Sequence, residues 1–134
     1  MNVPPLILLV EDNEANQLLS TALLAREGFE AATASNADEA LEWLVKHTPD
    51  LVLMDIQLPG QDGLSLTRQL KAEPKTSGLR IVALTAYAML GDSDHAMAAG
   101  CEGYISKPID TRTFGAQVRE YLGAAARPEA KKAS

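Results

Sequence analysis

The stretch LVLMDIQLPGQDG, residues 51–63, opens with four uninterrupted apolar residues, reaches an aspartate, and then breaks into proline, glycine and polar residues. A strand with one wet face would alternate apolar and polar side chains, and nothing alternates here. A short continuous apolar run closed by turn residues reads as a strand buried on both faces. Such strands sit inside parallel sheets that carry helices on either side. The run therefore predicts a central strand with Asp55 at its C-terminal end.

Working outward, residues 6–10 and 81–84 repeat this pattern, and shorter apolar runs lie at 31–34 and 104–105. Between the runs the apolar spacing turns helical. Ala15, Leu18, Leu19 and Ala22 form one stripe, stopped by Gly28. Ala37, Ala40, Leu41, Leu44 and Val45 form a second, with Asn36 and Glu39 spaced as a capping box. Leu66 and Leu70 mark a third helix before a breaker region at 74–78, and residues 91–99 give a weaker fourth. Phe114, Val118 and Leu122 give a fifth, with Asp110 as its expected N-cap. This alternation predicts an α/β fold, a doubly wound and mostly parallel five-stranded sheet. In every such topology the C-terminal strand ends share one edge, and ligands bind at that edge.

The chain has 134 residues, enough for one core, and reads as a single domain over 5–123 followed by a short flexible tail at 124–134. No apolar run approaches the roughly 18–20 residues a bilayer span needs. The first residues lack the basic region of a secretory leader. Cys101 is the sole cysteine, which rules out an internal disulfide and suits a cytoplasmic location. A net charge of -6 without a basic stripe argues against nucleic acid as a direct partner.

The strand ends carry the chemistry. The first run is followed by Glu11 and Asp12, the third by Asp55, the fourth by Thr85 and the fifth by Lys107. Taken singly, each has an ordinary reading as a polar turn, a strand-end acid, a β-branched strand residue or a solvated lysine. The fold forces them together, and grouped carboxylates repel by roughly 4 kcal/mol at about 4 Å for an effective dielectric near 20. A hard divalent cation offsets this, and Mg²⁺ takes carboxylates, waters and phosphate oxygens. His47, His95 and Cys101 form no zinc pattern. Mg²⁺, a lysine and a hydroxyl are the groups that stabilise a phosphoryl group in transfer. No nucleotide-cradling glycine loop is present, so the best candidate acceptor is a carboxylate, Asp55, forming an aspartyl phosphate.

With these residues placed, the segments LLVEDNE, LVLMDIQLPGQDG, VALTAYA and GCEGYISKPI together resemble the receiver domain of two-component response regulators, the CheY-like group. Within that family the chain is most similar to DivK-type single-domain regulators and to receivers of hybrid histidine kinases. The resemblance implies the flavodoxin-like strand order 2-1-3-4-5. It implies that Asp55 takes a phosphoryl group from a phosphohistidine on a kinase or phosphotransfer protein, in a two-component phosphorelay. Asp12, Asp55 and the backbone carbonyl of Gln57 would bind Mg²⁺, with Mn²⁺ as a substitute and Glu11 helping through water. Lys107 would pair with the phosphoryl oxygens, Thr85 would hydrogen-bond them and move inward, and Tyr104 would pass from exposed to buried behind it. Ala86 would leave access to the site, and Gln57 and Tyr87 would influence the lifetime of the phosphoryl group. A cis Lys107–Pro108 bond would hold the lysine over the crevice. The expected readout face is helix 4, strand 5 and helix 5, about residues 89–122, which meets a downstream protein. The expected oligomeric state is monomer or weak dimer.

The expected chemistry is self-phosphorylation and hydrolysis of the aspartyl phosphate, without the turnover of an enzyme. Met1 and the short tail favour a free-standing regulator. A phosphohydrolase with an aspartate nucleophile would want a second acid two residues on, where this chain has Gln57. A phosphate-independent interaction module would be favoured by loss of Asp55, Thr85 or Lys107, and all three are present. A flavin protein is disfavoured by the acidic mouth of the sheet.

Overall fold

Five parallel strands form one sheet: β1 (Leu6–Val10), β2 (Glu30–Ala34), β3 (Leu51–Asp55), β4 (Ile81–Thr85) and β5 (Gly103–Ser106), in the order β2-β1-β3-β4-β5. The structure is a computed structural model that describes residues 3–58, 60, 62–86 and 91–133, with the side chains of 92, 93 and 124–133 set aside. Helices α1 (Glu14–Arg26), α2 (Ala37–Lys46), α3 (Gly63–Ala72), α4 (Asp92–Ala99) and α5 (Phe114–Ala133) alternate with the strands. The doubly wound sheet and the strand order expected from sequence are both present.

The three inner strands are buried throughout, apart from the half-buried Leu6 at the start of β1. Their alternate residues feed two cores. Leu8, Val10, Val52, Met54, Ile81 and Ala83 pack toward residues of α2, α3 and α4. Ile7, Leu9, Leu51, Leu53, Val82 and Leu84 pack toward Leu23 and Leu24 of α1 and toward Phe114, Val118 and Leu122 of α5. This is why the runs lack alternation: both faces of each inner strand are dry. Val10 pairs with Met54 and Asp55 with Leu84, so Glu11 comes level with Asp55 at the C-terminal edge.

Several sequence expectations are modified. In α1 the stripe Ala15, Leu18, Leu19 and Ala22 faces outward, Leu18 at 72% exposure, while Ser20, Leu23 and Leu24 are buried. The helix carries apolar residues on two sides, and Ser20 disguised the inner one. In α2, Val45 likewise points out, and Leu41 and Leu44 are only partly buried. Asp110 caps the turn that leads into α5: its carboxylate accepts the Arg112 N–H at 2.9 Å and its carbonyl the Phe114 N–H at 2.9 Å, while α5 itself begins at Phe114. Helical backbone of α5 runs to Ala133, through the strong helix formers Ala124–126.

The capping box at α2 is also displaced by one residue. Asn36 Oδ1 accepts the Glu39 N–H at 2.8 Å, but the Glu39 carboxylate reaches back to the Ser35 N–H, at 2.7 Å. On the opposite face of the sheet, α1 and α5 are fastened to each other. Arg119 lies over the Phe29 ring at 4.9 Å and donates to the Glu27 carbonyl and carboxylate at 2.8 and 3.0 Å. Arg26 donates to the Thr111 carbonyl at 2.8 Å.

Candidate functional site

Strands β1, β3, β4 and β5 bring five of the expected residues to one mouth. Asp55 ends β3 and is 3% exposed, and Glu11, one residue past β1, is 1% exposed. Burying two carboxylates side by side demands a positive partner. Lys107 supplies it: its Nζ lies 3.1 Å from Asp55 Oδ2 and 3.4 Å from Glu11 Oε1. The other carboxylate oxygens receive backbone N–H groups, Gln57 donating to Asp55 Oδ1 at 3.0 Å and Asn13 to Glu11 Oε2 at 3.2 Å.

Electrostatics follow from this arrangement. Burial raises the Glu11 carboxyl above its ordinary value, and the neighbouring Asp55 charge raises it further; the Asn13 N–H and Lys107 pull the other way and lose. For Lys107, burial pushes downward, but Asp55 and then Glu11 outweigh it, so the ammonium is held above its ordinary value.

Asp12 joins the cluster from the exposed side, and ligand oxygens of Glu11, Asp12 and Asp55 all lie within 4.8 Å of one another. Three carboxylates face one ammonium, a deficit of two positive charges that one divalent ion makes good. The donors are all hard oxygens, which suits Mg²⁺ and not a thiophilic metal. The residues thus fit the metal expected from sequence.

The remaining candidates fall as follows. Thr85 ends β4, is buried, and accepts the Lys107 N–H on its backbone carbonyl at 2.7 Å. Tyr104 is exposed at 40% on β5, and its carbonyl accepts the Tyr121 hydroxyl at 3.4 Å. Gln57 is exposed and close to the cluster through its N–H. Tyr87 lies outside the described residues. The Lys107–Pro108 bond is cis. Beside the acids, a cleft of about 310 Å³ is lined by Asn16, Leu19, Ala86, Lys107, Pro108 and Ile109.

Sequence reasoning missed two residues. Gly63 starts α3 against the backbone of Asp55, where any Cβ would collide with the Asp55 carbonyl. A glycine, poor in helices, at a first helical position was the available clue. Gln17 donates its side-chain amide to the Glu11 carbonyl and to Ser35 Oγ. Nothing in helical spacing distinguishes it from a solvated residue.

Comparison with known proteins agrees with this geometry. A family description, the response regulator receiver domain, matches residues 7–119. The chain is 42% identical over 121 residues to the polar-differentiation response regulator DivK of Brucella anthropi, covering 90% of this chain and 98% of that protein. Among solved structures it is similar to the receiver domain of a sensor histidine kinase from Pseudomonas aeruginosa, with a TM-score of 0.81 and 32% identity over 90% of this chain and 99% of the other. That structure carries a magnesium ion coordinated in its active-site cleft. A putative response regulator from Chloroflexus aurantiacus aligns with a TM-score of 0.85 and 29% identity, over 90% of this chain and 99% of that one. Sheet order, the acid cluster at the strand ends and sequence matches over most of its length converge, and the chain belongs to the response regulator receiver family.

Proposed function

We infer that this receiver accepts a phosphoryl group on Asp55 from a phosphohistidine and uses it to switch protein contacts. The observation that carries the reading is the position of Lys107, which bridges two buried carboxylates across the mouth of the sheet. In the transfer, the P–N bond of the donor breaks as a P–O bond to an Asp55 carboxylate oxygen forms. The Lys107 ammonium, released from Asp55, follows the charge onto the phosphoryl oxygens. Asp12, Asp55 and the Gln57 carbonyl, with Glu11 behind them, would hold Mg²⁺, or Mn²⁺ in its place, and the ion would supply positive charge for the phosphoryl oxygens. Asp55 is buried and Thr85 stands beside it, so incoming charge is felt strongly and draws the Thr85 hydroxyl. Tyr104, exposed on the edge strand, would then turn inward, a population shift on the β5 side of the molecule.

The donor reaches Asp55 across α1. The cleft lined by Asn16, Leu19 and Pro108 adjoins the acids, and the outward stripe of α1 continues its apolar surface. A histidine-bearing helix fits there, because it must place an imidazole at the mouth while burying apolar area. The downstream protein meets the face of α4, β5 and α5. Chemistry ends with hydrolysis of the aspartyl phosphate, so the protein is a switch and not a turnover enzyme. The unit is taken as 5–123 with 124–134 as a tail, a monomer or weak dimer. No helix among the described residues is long and apolar enough to cross a membrane. A cytoplasmic location suits the lone cysteine, Cys101, which is buried.

Intact-mass measurement after incubation with acetyl phosphate and Mg²⁺ tests the reading. One added phosphoryl group is expected, absent in Asp55→Asn and absent with chelator; equal labelling of the variant removes Asp55 from the role.

A further inference from the structure

We propose that Gln17 is a positioning residue for the divalent-cation centre, acting through the peptide that joins Glu11 to Asp12. The inference rests on the reading of the acid cluster as a Mg²⁺ site.

The β1–β2 ladder closes at Val10 opposite Ala34, with one further bond from the Glu11 N–H to the Ala34 carbonyl at 2.9 Å. Beyond that rung β2 turns away into α2, and the Glu11 carbonyl has no strand partner left. The Gln17 side-chain amide takes that place. Its Nε2 donates to the Glu11 carbonyl and, at 3.2 Å, to Ser35 Oγ. Ser35 is itself fixed, since its N–H donates to the Glu39 carboxylate and Glu39 donates its own N–H to the Asn36 cap. The amide therefore ties the end of β1 to the braced start of α2.

Asp12 is where this matters. Glu11 is located by Lys107 and the Asn13 N–H, and Asp55 by Lys107 and the Gln57 N–H. The Asp12 carboxylate is exposed and has no hydrogen-bond or ion-pair partner among the described residues, yet its oxygen lies within 4.8 Å of the other two. Its direction is set by the backbone alone, and the peptide leading into it is the one Gln17 holds. Groups that orient a metal ligand without touching the metal commonly matter ten-fold or more to affinity.

The test is calorimetric titration of Mg²⁺ into wild type, Asp12→Asn and Gln17→Met, the last matching glutamine in length without a donor. The expected result is Mg²⁺ affinity lowered roughly ten-fold in Gln17→Met. In labelling by acetyl phosphate, the Mg²⁺ concentration for half-maximal rate should rise by the same factor while the saturated rate stays within about two-fold. Ser35→Ala, which leaves α1 intact, should weaken Mg²⁺ about three-fold and covers failure of the first variant to fold. Unchanged Mg²⁺ affinity in both variants, or a lowered saturated rate with unchanged half-saturation, overturns the role of Gln17. Absence of Mg²⁺ binding in wild type, or wild-type affinity in Asp12→Asn, overturns the metal reading beneath it.

Discussion

Gly63 stands against the carbonyl oxygen of Asp55, so the first residue of α3 and the last of β3 are in backbone contact. A Cβ at 63 would also meet the Asp55 carbonyl carbon and Ile56 Cα at 2.9 Å, and none of these atoms can rotate away. Gly63→Ala is expected to push α3 off the strand end and to cost about 2–3 kcal/mol, the range of an overpacked core. Chemical denaturation checks the stability. Labelling by acetyl phosphate should slow in the same variant, because Asp55 moves with its backbone.

Glu11 makes stability and metal binding depend on pH in a defined direction. Its carboxyl is raised in the fold above the ordinary 4.5. The protonated form is thus favoured by folding, and that contribution is complete below 4.5 and lost as pH rises through the folded value. Metal-free protein should lose melting temperature over that window, and the loss should be smaller in Glu11→Gln. Mg²⁺ competes with the proton, so its stabilising effect should grow with pH in the wild type more than in the variant. Thermal melts with chelator and with Mg²⁺ at several pH values decide; parallel curves for the two proteins would remove Glu11 as the cause.

Ser20 is buried at 1% exposure, and its hydroxyl has no hydrogen-bond partner among the described residues. A buried polar atom left unsatisfied is costly, and alanine is also the better helix former. Ser20→Ala should gain about 1 kcal/mol, or about 3 °C in melting temperature. Calorimetry showing a loss would mean that the hydroxyl has a partner in solution.

Leu18 is 72% exposed on α1, on the face proposed to meet the donor. Leu18→Lys should lower phosphotransfer from a phosphohistidine protein by roughly ten-fold, the worth of one well-buried leucine at an interface. Labelling by acetyl phosphate, which needs no docking helix, should be unchanged. Equal loss with both donors would locate the defect in the site and not in the docking surface.

Much of this was legible in the chain. Continuous apolar runs such as 51–54 can be satisfied only by strands with two dry faces, and that alone sets helices on both sides and collects Asp55, Glu11 and Lys107 at one edge. What was not legible depends on helix rotation and on backbone proximity. In α1, apolar residues occupy two faces, and spacing cannot say which is inward when a serine sits on the inner one. Gly63 and Gln17 act through contacts with main-chain atoms; Gln17 leaves no pattern of residue types to read, and Gly63 leaves only a poor helix former at a helix start.

The fastening of α1 to α5 by Arg119, Glu27 and Arg26 gives the two proposed partner faces a common border. A donor seated on α1 and a target seated on α5 would then contend for the same ground. On that reading, arrival of the signal and its delivery would be successive events, a hand-off in which one protein departs before the next takes hold.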